Sequence, residues 1–155
     1  MFIKRAIILV TVPIISLTAA SCGKNAEKKI SLPKEFTVNA EINENDFIVK
    51  SELTRKDGGW IISVSEPKTL EGMELSITDK DCTVNYKELS YSSDLSDFPS
   101  CSALRLTLDV LDKCTSSKSE GKIYGEEYEV EFKDGKLSSA AIGDGITVKF
   151  SKFKT

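Results

Sequence analysis

Histidine is absent from this chain of 155 residues. That absence excludes Ser-His-Asp and Cys-His nucleophilic catalysis and every zinc site that relies on imidazole. Cysteine is sparse, and no two cysteines form a C-x-x-C pair, so neither a dithiol redox centre nor a zinc knuckle is supported. Positive charge is in deficit: 21 Lys and Arg stand against 24 Asp and Glu, a net charge of −3. Such a balance lacks the basic field that nucleic-acid binding and broad adhesion to anionic membranes require. No apolar run reaches the roughly 20 residues of a membrane-spanning helix. The carboxylates fall in turns and on wet strand faces, and Asp79, Asp81 and Asp144 lack the spacing of an EF-hand loop. The expectation is a non-enzyme with no cofactor, no metal and no nucleic-acid partner.

What is present starts at the N-terminus. Lys4-Arg5 precede a short apolar run, Ala6 to Leu17, which Pro13 interrupts and Leu17-Thr18-Ala19-Ala20-Ser21-Cys22 closes. A basic start, a short apolar stretch and small residues before a cleavage point make a secretory signal. With Cys22 directly after them, the segment resembles a bacterial lipoprotein signal peptide. The expected organisation is a removed signal over residues 1–21, a lipidated tether over 22–34 beginning at Cys22, and a single domain over 35–155. The mature chain is then extracytoplasmic and anchored to the cell membrane, or to an outer membrane if the organism has one. Secretion with cleavage near Ala20 is the alternative.

Cys82, Cys101 and Cys114 remain after Cys22. Cys101 and Cys114 bracket one expected helix, which at about 1.5 Å per residue holds them roughly 20 Å apart. A disulfide, if there is one, joins Cys82 to one of the other two; the reading preferred is three buried thiols acting as small hydrophobes.

From Phe36 apolar residues recur at period two, the mark of half-buried strands. Phe36, Val38, Ala40 and Ile42 share one face; Phe47, Val49, Ser51 and Leu53 share a face after a turn at Asn43 to Asn45; Trp60 to Val64 follow a turn at Lys56-Asp57-Gly58-Gly59. Glu66-Pro67 ends this meander. A hairpin follows with Met73, Leu75, Ile77, Cys82, Val84 and Tyr86 inward, and Ser90 to Asp97 then read as a loop. Pro99 and Ser100 or Ser102 suit a helix start. Leu104, Leu108 and Leu111 make the apolar face of a helix over Ala103 to Lys113, with Arg105, Asp109 and Asp112 on its wet stripe. Strands resume at Ile123, with turns at Lys133-Asp134-Gly135 and Gly143-Asp144-Gly145.

Eight or nine antiparallel strands with one helix after the fifth give a mainly β, α+β fold. One helix cannot cover the dry face of so wide a sheet, so the sheet is expected to curl into an incomplete β-barrel with the helix as lid. The lipidated start, the meander from Phe36 to Val64, the crossover Glu66-Pro67-x-x-Leu70-x-Gly72, the hairpin Met73 to Tyr86, and the helix with four returning strands resemble the LolA and LppX type of lipoprotein carrier domain. The resemblance implies a concave face that holds a lipid or acyl chain under a helical lid. On the residues themselves, Phe36, Val38, Phe47, Val49, Trp60, Ile62, Leu75, Ile77, Leu104 and Leu108 line that face, a set that serves equally as packed core. Two functions are therefore carried forward: a membrane-anchored binder of a lipid or other hydrophobic ligand, and an envelope interaction or sensor lipoprotein with a filled core and a protein partner.

Overall fold

The structure, a computed structural model, describes residues 31–116 and 122–155. The signal peptide, Cys22 and most of the tether lie outside the described residues. Six strands come first: β1 (Phe36–Glu44), β2 (Phe47–Lys56), β3 (Gly59–Glu66), β4 (Glu74–Ile77), β5 (Asp81–Tyr86) and β6 (Leu89–Asp94). Helix α1 (Ala103–Ser116) follows, then β7 (Lys122–Tyr124), β8 (Tyr128–Lys133), β9 (Lys136–Ile142) and β10 (Ile146–Lys154). All lie in one antiparallel 10-stranded sheet with the order β6-β5-β4-β3-β2-β1-β10-β9-β8-β7. The sheet is open: β6 and β7 are its edges. Each neighbour in space is a neighbour in sequence except β1 and β10, which pair from Glu44↔Ile146 to Thr37↔Lys154.

The fold is thus a mainly β, curled antiparallel sheet with one inserted helix, as the alternation implied. The sequence reading placed the helix after a fifth strand; the structure places it after a sixth, because Leu89 to Asp94 form a strand rather than a loop. Serine and aspartate are poor strand formers, but the tight turn at Lys87-Glu88 lays this segment on β5 in unbroken register, from Tyr86↔Leu89 to Asp81↔Asp94. The two-residue turns carry left-handed backbone where the twist demands it. Asp57-Gly58 and Asp134-Gly135 both have positive φ, as a type I′ hairpin needs. Asn45-Asp46 do the same without glycine, which moves the first turn one step past its expected place.

Sheet twist and bulges supply the curl. In β10, Lys152 takes a positive φ where the register with β1 shifts between Thr37 and Asn39. Phe153 then stacks at 5.4 Å from the Phe36 ring, which meets Trp60 edge-on at 5.6 Å.

Helix α1 lies in the trough of the sheet, nearest β1. Ser102 starts it: its Oγ accepts the Arg105 N–H at 3.3 Å and donates to the Pro99 carbonyl at 2.9 Å. Thr107, Leu108, Val110, Leu111 and Cys114 are all buried. Their spacing puts them on one apolar face of the helix, which is turned to the sheet.

Candidate functional site

The register of the sheet aligns the inward side chains into rows that cross the strands. One row runs Val38–Leu53–Ile62–Leu75–Val84–Tyr91 from β1 to β6. Burial falls along it: the first four are core, Val84 is half-buried and Tyr91 is 67% exposed. A parallel row runs Phe36–Arg55–Trp60–Ile77–Cys82–Ser93. The concave face is therefore mainly apolar, interrupted by Arg55 and Ser93 in the second row; α1 lies over its centre, and the wing formed by β5 and β6 is open. Leu89, opposite Tyr86 at the hairpin end, is 75% exposed on the same wing. Tyr86 is held there by its hydroxyl, which donates to the Thr69 carbonyl at 2.7 Å, and by Lys87 Nζ over its ring at 4.9 Å.

Polar contacts fasten α1 to both wings. Asp112 accepts Arg55 Nε at 2.7 Å on one carboxylate oxygen and Trp60 Nε1 at 3.1 Å on the other. Arg55 also donates to the Lys34 carbonyl, drawing in the segment before β1. On the other flank Lys113 Nζ sits 5.4 Å from the Tyr128 ring. Asp112, expected on the wet stripe with Arg105 and Asp109, instead faces the sheet. Arg105 and Asp109 do pair with each other, at 3.1 Å along the helix surface.

Two clefts border this clasp. One, of about 280 Å³, lies between α1 and the turns of β2–β3 and β4–β5, against Trp60, Ile77, Leu108, Asp79 and Asp109. A wider one of about 690 Å³ opens on the far side of Arg105, between Lys80, Asp94, Phe98 and Ser100. Both are rimmed by charge.

Of the lining residues expected from the sequence, Phe36, Val38, Trp60, Ile62, Leu75, Ile77 and Leu108 are buried in the core. Val49 and Leu104 are partly buried and packed against it. Phe47 lies on the expected face but at the tip of the β1–β2 hairpin, where the sheet outruns its cover and leaves it 57% exposed. Reasoning from sequence missed Leu89 and Tyr91. Their alternation with Ser90 and Ser92 was the available signal, hidden by the serine-rich composition.

The thiols divide. Cys82 and Cys114 are buried and free, as expected of small hydrophobes, whereas Cys101 is free and exposed just before α1. That corrects the expectation of three buried thiols: Cys101 precedes the first helical turn, outside the apolar face. Burial pushes the Cys114 thiol up to about 12. Burial also raises Cys82, against a smaller opposing pull from Arg105.

No protein-family model matches the chain, and no curated protein does. Among solved structures, the crystal structure of the LolA superfamily protein NE2245 from Nitrosomonas europaea is similar over 81% of this chain and 88% of that chain, with 13% sequence identity and a TM-score of 0.49.

Proposed function

We propose that this chain is an extracytoplasmic lipoprotein, anchored to the membrane through Cys22, that holds a lipid, acyl chain or other hydrophobic molecule on the open wing of its concave face. The observation that carries the reading is the row from Val38 to Tyr91, an apolar surface that passes without a break from full burial to solvent. A methylene laid on it leaves water with about 0.8 kcal/mol of stabilisation. A stretch of ten carbons gains about 8 kcal/mol, against which ordering and association costs of similar size must be set.

The ligand binds beside α1 and does not displace it. Leu108, Val110 and Leu111 are at most 4% exposed, and burying three such side chains contributes about 5–9 kcal/mol as an upper bound. Lifting the helix would cost much of the roughly 5–15 kcal/mol by which a domain is stable.

Native mass spectrometry of the chain purified from its membrane, before and after organic extraction, tests this directly. An extractable mass of lipid size is expected, reduced by Tyr91→Lys; a clean apo mass together with no uptake of an apolar fluorophore would sink the proposal. Cys22→Ser is expected to abolish incorporation of labelled fatty acid, and unchanged labelling would refute the anchor.

A second reading, an interaction lipoprotein with a filled core, is favoured by the tight packing of most expected lining residues. On that reading the acidic segment Asp94 to Asp97 meets a protein partner. Capture of that partner is then expected to survive Ala103→Phe, and the reading fails if capture is lost while the fold is intact.

A further inference from the structure

We propose that two copies of this chain associate through β6, strand to strand and antiparallel, with Ser92 of each copy on the two-fold axis. Strand β6 is a free edge of the sheet. Its backbone polarity can be assigned: Tyr86 and Leu89 close a two-residue hairpin, and Leu95 N–H donates to the Lys80 carbonyl at 2.6 Å. Odd-numbered residues therefore turn their N–H and C=O groups toward β5, and Ser90, Ser92 and Asp94 turn theirs outward. Sheet proteins ordinarily blunt such an edge with lysine, proline or a bulge. Residues 89–94 contain no lysine or proline, and the register with β5 has no shift. The same strand carries Leu89 and Tyr91, the two most exposed large hydrophobic side chains among the described residues. The opposite edge, β7, is only 3 residues long.

The occupant follows from the strand's own pattern. Two-fold antiparallel pairing keeps the concave faces together only in alternate registers, because a one-residue slip inverts every side chain. Centring on Tyr91 sets Glu88 opposite Asp94 of the second copy, twice, and like charges directly opposed are destabilising. Centring on Ser90 leaves little more than residues 89–91 paired. Centring on Ser92 pairs the whole of residues 90–94, opposes each Asp94 to a serine, places Leu89 against Leu95 of the second copy, and brings the two Tyr91 rings to diagonal positions within reach of each other. The outward groups of Ser90, Ser92 and Asp94 all find partners in that register. An interface built from one short strand falls below the roughly 1,200 Å² of stable complexes, so the association is weak and reversible.

The full chain carrying Cys101→Ser, which removes the exposed thiol, is the background for single substitutions Ser92→Cys, Ser90→Cys and Tyr91→Cys. Under mild oxidation or with a short bis-maleimide, Ser92→Cys is expected to give covalent dimer several-fold above the background. Ser90→Cys is not, since its two copies are about 13 Å apart in this register; as an exposed serine of the same face it controls for folding. Stronger bridging at Tyr91 or Ser90 than at Ser92 overturns the register. Bridging at none of the three overturns self-association, and protection of Ser92→Cys from labelling in a monomer would then place a foreign strand on the edge.

Discussion

Replacing Asp112 by alanine tests whether α1 is fastened to the sheet by its carboxylate. Trp60 is 4% exposed, and its indole N–H has Asp112 as its acceptor at 3.1 Å. Without the carboxylate that donor is buried and unpaired, at a cost of about 1–3 kcal/mol. Arg55 loses a second contact; because the Asp112 side chain is 40% exposed, water screens the pair, and about 0.2–1 kcal/mol is the fair allowance. The expected loss is about 1–4 kcal/mol, or roughly 4–20 °C in Tm for a domain of this size. Urea unfolding followed by circular dichroism measures it. Asp109→Ala is the matched control, since it breaks only the surface pair with Arg105 and should change stability by less than about 0.5 kcal/mol. In a Trp60→Phe background the Asp112→Ala loss should shrink, because no indole N–H remains to be orphaned. Equal effects of Asp112→Ala and Asp109→Ala, or an undiminished loss in the Trp60→Phe background, would refute the reasoning.

Other sites give independent checks. A Cβ at Gly59 would lie 2.7 Å from the Ile77 carbonyl oxygen in the β3–β4 ladder, so Gly59→Ala should destabilise by about 1–3 kcal/mol, whereas an unchanged urea midpoint would show that the strands part freely. Cys114 has a folded pKa of about 12 against an ordinary 9.0. The native state then holds its proton where the unfolded chain has lost it, so this contribution to stability is complete below about pH 9 and is lost as pH rises through 12, by about 1.4 kcal/mol per unit. Cys114→Ala should flatten the alkaline limb of the stability curve; a slope identical to the parent's would remove the thiol from the account. At pH 8 a thiol reagent should label Cys101 and spare Cys82 and Cys114 in the folded chain.

Much of the fold was legible in the residues. Phe36-x-Val38-x-Ala40-x-Ile42 is buried and half-buried in strict alternation, and the Asp-Gly dipeptides sit in the turns they suggested. What the sequence concealed depended on neighbours. Strand β6 has almost no propensity of its own and exists because β5 templates it. Asp112 looks like a solvated helix residue until the curl brings Trp60 and Arg55 to its face of the helix. The wing was hidden for the same reason: only the register reveals that Tyr91 continues the row begun at Val38. Of the ten residues expected to line a ligand face, the eight on strands share the inward side of the sheet, while Leu104 and Leu108 belong to α1; periodicity cannot say which positions the helix covers.

The pairing of β1 with β10 sets the order of events in making this protein. Hairpins β1–β2–β3 and β8–β9 can form as soon as they are synthesised, but β1 keeps one edge bare until the last strand arrives. Before that moment two half-sheets exist, joined through α1 and neither able to enclose it. Loop-closure entropy across the whole intervening chain opposes their meeting, and many ladder bonds form at once when they do. The sheet becomes resistant to unfolding only once β10 has joined β9 to β1. Shortening or tagging the chain within Ile146–Lys154 would therefore not trim a periphery; it would leave the molecule without its central seam.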